Sequence, residues 1–122
     1  MSRKAKLWAV EANEYLYLFS TAKLDKDQAE ACVLFSIEDA LPRVEPHSEH
    51  MYSFITTVFV ADETEHDVLK FIGRRRFNKS YRFGLHGSSP LKTVALDIGS
   101  EKIAANNMGR DLRKQIRNIC KE

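Results

Sequence analysis

Apolar and polar positions alternate along the first part of the chain. The runs "KLWAV" and "EYLYLFS" are rich in aromatic residues and are separated by residues 11–13. A period of two is typical of strands, so these runs predict a β-hairpin. Alternation places three aromatic rings on one face of the second strand: Tyr15, Tyr17 and Phe19.

The period then becomes helical. In "LDKDQAEACVLFSIEDALP", Asp25 and Gln28 stand three residues apart, as the two members of a capping box do. Apolar residues follow at helical spacing until Pro42: Ala29, Cys32, Val33, Ile37, Ala40 and Leu41. This segment predicts a long helix, although "CVLFSI" alone is also compatible with a strand.

A strand and a short helix follow a turn-forming connector. "MYSFITTVFVA" is β-branched and aromatic, which predicts a central strand. Asp62 and Glu65 then occupy the positions of an N-cap and its N3 partner, and Gly73 can end the helix. The apolar stripe of this helix consists of Val68, Leu69 and Ile72.

The last third predicts three strands and a helix. "KSYRFGLHG" alternates, which indicates a half-buried strand that turns Tyr81, Phe83 and Leu85 inward. "LKTVALDIGSEKIAAN" predicts a second hairpin, with Asn107 as the N-cap of the helix that follows. The core-facing residues of this hairpin are expected to be Val94, Leu96 and Ile98. The apolar side of the last helix consists of Met108, Leu112, Ile116, Ile119 and Cys120.

The predicted order of elements is β-β-α-β-α-β-β-β-α. Hairpins predominate, which favours the α+β class: one domain over residues 1–122, with a mostly antiparallel β-sheet and about three helices packed on one face. Such a sheet leaves its other face to water, to a ligand or to a second copy. If aromatic residues such as Tyr15, Tyr17, Phe19 or Tyr52 lie on that open face, oligomerisation is the natural way to cover them.

Composition places the chain among ordinary globular domains, but its charge is unevenly distributed. The 122 residues are 43% apolar and 30% charged, with a net charge of +2. Residues 1–67 hold six Lys or Arg against thirteen Asp or Glu, a net −7, whereas residues 68–122 hold thirteen against four, a net +9. Three explanations are open: the halves fold against each other, copies associate head to tail, or the basic half meets an anion.

The cysteines and the N-terminus predict a cytoplasmic protein. The apolar stretch over residues 7–10 is too short for a signal-peptide core or a membrane span. Cys32 and Cys120 lie in separate segments without a CxxC motif, which favours reduced, buried thiols.

No motif defines a reaction. The clusters "HSEH" at residues 47–50 and "DETEHD" at residues 62–67 match no metal-ligand spacing, so neither a metal nor a cofactor is expected. The loop "GLHGSSP" lacks the spacing of a P-loop and is better explained as a turn. Ser88 or Ser89 with His86 and Asp97 would suit nucleophilic catalysis, but proximity in sequence does not establish their geometry, and catalytic residues stay unassigned.

The basic residues are the most suggestive feature. "GRRRFNKSYRFGLHG", residues 73–87, mixes cations with aromatic rings, as sites for single-stranded nucleic acid do. The last helix adds a cationic stripe. Together they supply ten candidate contacts for an anion or a nucleic acid: Arg74, Arg75, Arg76, Lys79, Arg82, His86, Arg110, Arg113, Lys114 and Arg117.

Three functional hypotheses follow. The favoured one is a non-catalytic binding or assembly module that acts as a homo-oligomer and has no membrane partner. The first alternative is a nucleic-acid-binding protein that uses residues 74–82 and the last helix. The second is a small enzyme or ligand-binding pocket around His86 and Arg82.

Overall fold

The computed structural model of the protein describes residues 2–7, 12–45, 52–82, 85 and 87–120. Within these residues, six strands form one sheet: β1 (Ser2–Leu7), β2 (Ala12–Leu24), β3 (Tyr52–Thr64), β4 (Asn78–Ser80), β5 (Ser88–Asp97) and β6 (Lys102–Ala105). The helices are α1 (Lys26–Ala40), α2 (Val68–Arg74) and α3 (Arg110–Cys120). Short 3₁₀ turns follow α1 and precede α3, at Leu41–Arg43 and Asn107–Gly109. The α+β class, the single domain and the order of elements are confirmed.

The centre of the sheet is parallel. The strands lie in the order β1-β2-β3-β5-β4, and β6 pairs with the same edge of β5 as β4. β3 runs parallel to both β2 and β5, whereas β1, β4 and β6 pair antiparallel to their neighbours. The sheet is thus partly parallel rather than mostly antiparallel, because α1 and α2 each lie in a crossover between two long strands.

The core lies between one face of the sheet and the helices α1 and α2. Tyr15 and Tyr17 of β2 are buried there, beside Ile55 and Phe59 of β3, and the Phe19 and Phe59 rings stack at 5.5 Å. These aromatic residues of β2 therefore lie beneath the helices and not on the open face. Tyr52, which is 40% exposed, occupies the alternate face.

Two tyrosine hydroxyls fasten β2 to the end of α1. Tyr15 Oη donates to the Arg43 carbonyl at 2.9 Å, and Tyr17 Oη donates to the Asp39 carboxylate at 2.7 Å. The hydrogen bond from Tyr17, followed by that from Arg43, lowers the pKa of Asp39. Burial, followed by the bond to Asp39, raises the pKa of Tyr17. The polar ends of both phenols are thus satisfied at the border of the core.

The two helix starts test the capping predictions differently. The Asp25–Gln28 capping box of α1 is confirmed, since Gln28 N donates to Asp25 Oδ1 at 2.7 Å and Asp25 N to Gln28 Oε1 at 3.3 Å. Asp62 does not cap α2, because β3 continues to Thr64, which still pairs with Leu24 of β2. Strand pairing therefore outweighs the local capping signal.

Of the strand predicted over residues 79–87, only the start is present, as the end of β4, and the described residues after it do not continue the strand. The Tyr81 N–H donates to the Gly87 carbonyl and the Leu85 N–H to the Arg82 carbonyl. Arg82 and Gly87 have φ values of 49° and 88°, which strand backbone does not adopt. Leu85 is consequently 73% exposed instead of inward. Phe83 and His86 lie outside the described residues.

The C-terminal hairpin is confirmed, but its inward residues differ from those predicted. Val94 is buried on the second face of the sheet, whereas Leu96 is half-buried and Ile98 is 49% exposed. The residues of β5 that face α1 and α2 are Leu91, Thr93 and Ala95. No residue of α3 is buried, so the predicted burial of Cys120 is wrong; Cys32 is half-buried against the core.

Candidate functional site

The three consecutive arginines of the basic segment have three different surroundings. Arg74 lines a cavity of ≈ 350 Å³ together with Lys26 and Lys70. Arg75 Nε lies 2.7 Å from Glu30 Oε1 of α1, and its side chain is only 18% exposed. Arg76 is exposed and lines a separate cleft. The run therefore does not form one cationic surface, and Arg75 serves the fold.

The cleft that Arg76 lines is hereafter the Arg76 cleft. It lies where β4, the start of β5 and the turn before α3 meet, and its volume is ≈ 520 Å³. Its lining residues are Tyr52, Arg76, Phe77, Asn78, Ser88, Pro90, Leu91, Asn106, Asn107 and Met108. Apolar walls with a few polar groups are typical of small-ligand pockets. Of the predicted contacts that the structure describes, which excludes His86, Arg76 is the one that lines this cleft.

Asn106 holds the walls of the Arg76 cleft together. Its Nδ2 donates to the carbonyls of Arg75 and Leu91 at 2.9 and 2.8 Å. Its Oδ1 accepts from the N–H groups of Thr93 and Gly109 at 3.1 and 2.9 Å. The residue is 2% exposed, and both donors and both oxygen lone pairs of its amide are used. One buried side chain therefore ties the arginine segment, β5 and the turn before α3 to one another.

Asn106 also corrects the capping prediction for the last helix. The expected cap was Asn107, but the Asn106 side chain accepts from Gly109 N, and a 3₁₀ turn precedes α3. Asn107 is exposed and contributes to the cleft instead. Either of the two adjacent asparagines could cap the last helix on local pattern alone. The long-range hydrogen bonds from Asn106 to the carbonyls of Arg75 and Leu91 fix Asn106 in the capping position.

The remaining predicted contacts are dispersed. Lys79 is exposed, with Nζ 5.9 Å from the centre of the Tyr81 ring, and Arg82 is exposed in the turn after β4. On α3, Arg113 is half-buried and the exposed cations are Arg110, Lys114 and Arg117. These α3 cations form no ion pair with another described residue. Arg117 lines a different cavity, of ≈ 400 Å³, with Leu96 and Ile98.

The set considered for nucleophilic catalysis does not assemble. Ser89 and Asp97 are eight residues apart on β5, which corresponds to roughly 26 Å along a strand. Ser89 Oγ is buried and lies 2.9 Å from Tyr81 Oη. Burial would raise the pKa of Asp97, but the hydrogen bonds from Thr64 and Ser100 outweigh it and lower that pKa. Asp97 is thus a structural carboxylate: it accepts hydrogen bonds from Thr64 at the end of β3 and from Ser100 in the turn after β5.

The histidine clusters yield no metal site in the part of the chain that the structure describes. His47 and His50 lie outside it, and no group of three or more His, Cys, Asp or Glu within it is arranged to hold a metal ion. His66 is exposed, with Nδ1 2.6 Å from Asp67 Oδ1. Asp67 has a φ of 81°, and this strained loop follows the end of β3.

The second face of the sheet is a further surface without an assigned role. Its residues on β2, β3 and β5 are in register and are called here the open face: Glu14, Leu16, Leu18, Ser20, Phe54, Thr56, Val58, Val60, Lys92, Val94 and Leu96. At its centre Leu18, Val58 and Val94 form one apolar row. Val94 lies against the turn before α3, where a Cβ on Gly109 would be 3.2 Å from Val94 Cγ2. Leu18, at the other end of the row, is 45% exposed.

A polar trio interrupts the apolar open face. Thr56 Oγ1 donates to Glu14 Oε2 at 2.7 Å, and Lys92 Nζ lies 3.8 Å from the same oxygen. Lys92 Nζ also lies 3.9 Å from the centre of the Phe54 ring. Since each charge has a partner of its own sheet, this face can be covered without leaving an isolated charge.

Among the described residues, two ion pairs join the acidic and the basic halves of the chain. Glu30 pairs with Arg75, and Glu14 pairs with Lys92. Folding of the halves against each other therefore accounts for part of the charge split. The exposed carboxylates Asp62, Glu63 and Glu65 remain at the end of β3, and exposed cations remain near the start of β5.

The fold and its surfaces define a single α+β domain with a mixed sheet, helices α1 and α2 on one face, and a ligand-sized cleft at one end. The chain belongs to the family described as "Domain of unknown function (DUF8052)", whose sequence model matches residues 1–118. No curated protein and no solved structure matches the chain significantly. Among the described residues, none of the helices combines the length and the apolar character needed to cross a membrane.

Proposed function

We propose that the protein is a non-catalytic assembly module of the cytoplasm and that it works as a homodimer joined through the open face. The observation that carries this proposal is the row Leu18, Val58 and Val94, which runs across the middle of a sheet and ends in a leucine that is 45% exposed. An apolar sheet face ordinarily packs against a second layer. The free thiols of Cys32 and Cys120 suit a reducing compartment.

The open face supplies part of the area that a second copy would cover. Its three strands at ~4.8 Å and about seven residues at ~3.3 Å give a face of roughly 14 by 23 Å, or roughly 330 Å². A standard interface takes about 800 Å² from each partner. The apolar side of α3 supplies further area, since Ile119 is 68% exposed.

The charges at the two ends of the sheet favour one orientation of the copies. Asp62, Glu63 and Glu65 lie at the end of β3, and Lys70 and Lys102 offset part of their charge. At the opposite end, near the start of β5, the exposed cations are Arg76, Lys79 and Arg82. Two sheets stacked with antiparallel strands place each acidic end opposite a basic end.

The first test is the molar mass in solution, measured by light scattering after size exclusion at low and high salt. The dimer predicts twice the chain mass of 14.0 kDa, and Leu18→Glu should reduce it to a monomer because it buries an unpaired charge in the interface. If the dimer dissociates partly at high salt, the charged ends of the two sheets contribute to the interface and set the relative orientation of the copies.

Leu34→Glu is the matched control. Leu34 is 42% exposed on α1, so this variant adds the same charge at a leucine of similar exposure on the opposite side of the molecule. It should stay dimeric. A monomeric wild type at high protein concentration and low salt would refute the proposal, as would a dimer that Leu34→Glu dissociates and Leu18→Glu does not.

A further inference from the structure

The Arg76 cleft lies apart from the row Leu18, Val58 and Val94 that carries the proposed assembly, and it has the features of a binding site. Its ≈ 520 Å³ fall within the range of small-molecule pockets, about 300–1,000 Å³. Two large apolar side chains at the cleft are left exposed, Tyr52 at 40% and Met108 at 43%. Leu91 is fully buried in its wall. An apolar cleft with exposed rims is a surface that a ligand can cover.

The positive charge in the cleft belongs to Arg76, which is free to bind a ligand. Arg75, one residue earlier, is bound to Glu30, whereas the Arg76 side chain forms no ion pair or hydrogen bond with the rest of the described chain. A guanidinium presents several N–H donors in a planar fork that fits phosphate or carboxylate oxygens. The cleft thus offers one cation to one anionic group.

The other polar groups suit the edge of a planar ring. Asn78 and Asn107 each provide an amide that both donates and accepts, and Ser88 adds a hydroxyl. Asparagine amides recognise the edges of nucleobases, and aromatic side chains such as Tyr52 and Phe77 stack on their faces.

The cleft is also held in place before a ligand arrives. The four hydrogen bonds of Asn106 join its walls, and the Leu91 N–H donates to the Phe77 carbonyl at 2.9 Å. Walls fixed in this way lose little conformational entropy on binding.

We infer that the Arg76 cleft binds a nucleotide unit: a nucleobase held by the aromatic and amide side chains and a phosphate held by Arg76. The shared chemistry is that of a nucleoside monophosphate, which reaches the protein either as a free nucleotide or as one unit of a single-stranded nucleic acid. This site unites Arg76 with Asn107 and Met108 at the start of the α3 region, rather than with the other arginines of its own segment.

The test is an NMR titration of the full-length protein with each of the four nucleoside 5′-monophosphates. Shifts of the Asn78 and Asn107 side-chain amide signals report on the cleft itself. The parallel titrations use the matching nucleosides, inorganic phosphate and an eight-nucleotide single-stranded RNA. Arg76→Gln should weaken monophosphate binding by about 10-fold to 100-fold, the factor expected for hydrogen bonds to a charged group.

Arg74→Gln is the matched control, because Arg74 is exposed, lies two residues away and lines another cavity. It should bind the monophosphates as the wild type does. Saturable shifts at Asn78 and Asn107 that Arg76→Gln weakens and Arg74→Gln does not would support the site. If the RNA binds these residues more tightly than the monophosphate, the source is a nucleic acid; if it does not, the source is a free nucleotide.

The proposal is overturned if none of these compounds shifts the two asparagine signals at millimolar concentration. It is also overturned if Arg74→Gln and Arg76→Gln weaken binding equally, since that would indicate a diffuse cationic surface. The result is independent of the oligomeric state, because the nucleotide titration is repeated on the Leu18→Glu variant.

Discussion

Thr57 of β3 and Thr93 of β5 are paired neighbours in register, both fully buried, and neither hydroxyl has a hydrogen-bond partner among the described residues. Buried polar groups are normally satisfied. Two adjacent unsatisfied hydroxyls in the core therefore lower the free energy of unfolding. At these two residues the sequence is not optimised for stability.

Replacing Thr57 with valine should stabilise the protein. The change removes an unsatisfied hydroxyl and keeps the shape of the side chain, so we expect the free energy of unfolding to rise by about 1 kcal/mol. Urea denaturation followed by circular dichroism measures it. Thr56→Val is the control on the next residue: Thr56 is equally buried but donates to Glu14 at 2.7 Å, and its loss should cost about 1 kcal/mol or more. Destabilisation by both variants alike would contradict the assignment.

Asn106→Ala should be among the most damaging single substitutions. It removes the side-chain partner of the Thr93 N–H and of the carbonyls of Arg75 and Leu91, whereas the Gly109 N–H keeps its 3.0 Å bond to the backbone carbonyl of residue 106. We expect a loss of about 3 kcal/mol, measured by urea denaturation. Asn107→Ala, at the exposed neighbour, should change the free energy of unfolding by no more than ~0.5 kcal/mol. If Asn107→Ala destabilised the protein more than Asn106→Ala, Asn107 and not Asn106 would be the structural cap.

The contribution of Asp97 to the free energy of unfolding should depend on pH. Its pKa is lowered in the folded protein, so the carboxylate stabilises the fold fully above its unfolded pKa of about 3.9, and this contribution is lost as the pH falls through the lower, folded pKa. Asp97→Asn should therefore cost about 2 kcal/mol at pH 7, and the gap from wild type should shrink as the pH falls below about 4. Glu63→Gln, an exposed carboxylate at the same end, should differ little from wild type at pH 7. A gap for Asp97→Asn that widens in acid would contradict this role.

Arg75 and Arg76 should separate stability from binding. Arg75→Gln breaks the pair with Glu30, in which Arg75 is 18% and Glu30 39% exposed, and we expect it to cost about 1 kcal/mol. Nucleotide binding should not change. The double variant Glu30→Gln with Arg75→Gln should lose less than the sum of the two single losses, because they share one interaction. Equal weakening of ligand binding by the two arginine variants would contradict the separation.

The sequence predicts the elements better than the surfaces between them. Hydrophobic periods and the Asp25 capping box are local signals, and the strands and helices that they predict are present in the predicted order. The two β-α-β units around α1 and α2 also carried a signal for parallel pairing, which the abundance of hairpins obscured. In "RRR", three identical side chains differ only through distant partners. Glu30 is 45 residues from Arg75, and no local pattern reports that contact.

The cleft could be predicted only in fragments for the same reason. Arg76 belongs to a conspicuous run, but Tyr52, Ser88 and Asn107 come from three other segments, and each has an ordinary explanation where it stands. The strand predicted over residues 79–87 ends at Ser80. Arg82 and Gly87 have positive φ, which strand backbone does not adopt, and the alternation of side chains does not reveal this. Asp62 failed as a cap because pairing with β2 carries β3 two residues further, to Thr64.

Asn106 also protects the edge of the sheet. β4 pairs with residues 88–90 of β5 and β6 with residues 94–97, which leaves a gap of three residues between two short strands. The Asn106 side chain fills it as a peptide group would, because it donates to Leu91 O and accepts from Thr93 N. A strand from an aggregating chain therefore finds no free run of β5 backbone to extend. On this side of the sheet, one side-chain amide pairs with the β5 backbone at the position where a strand would otherwise pair.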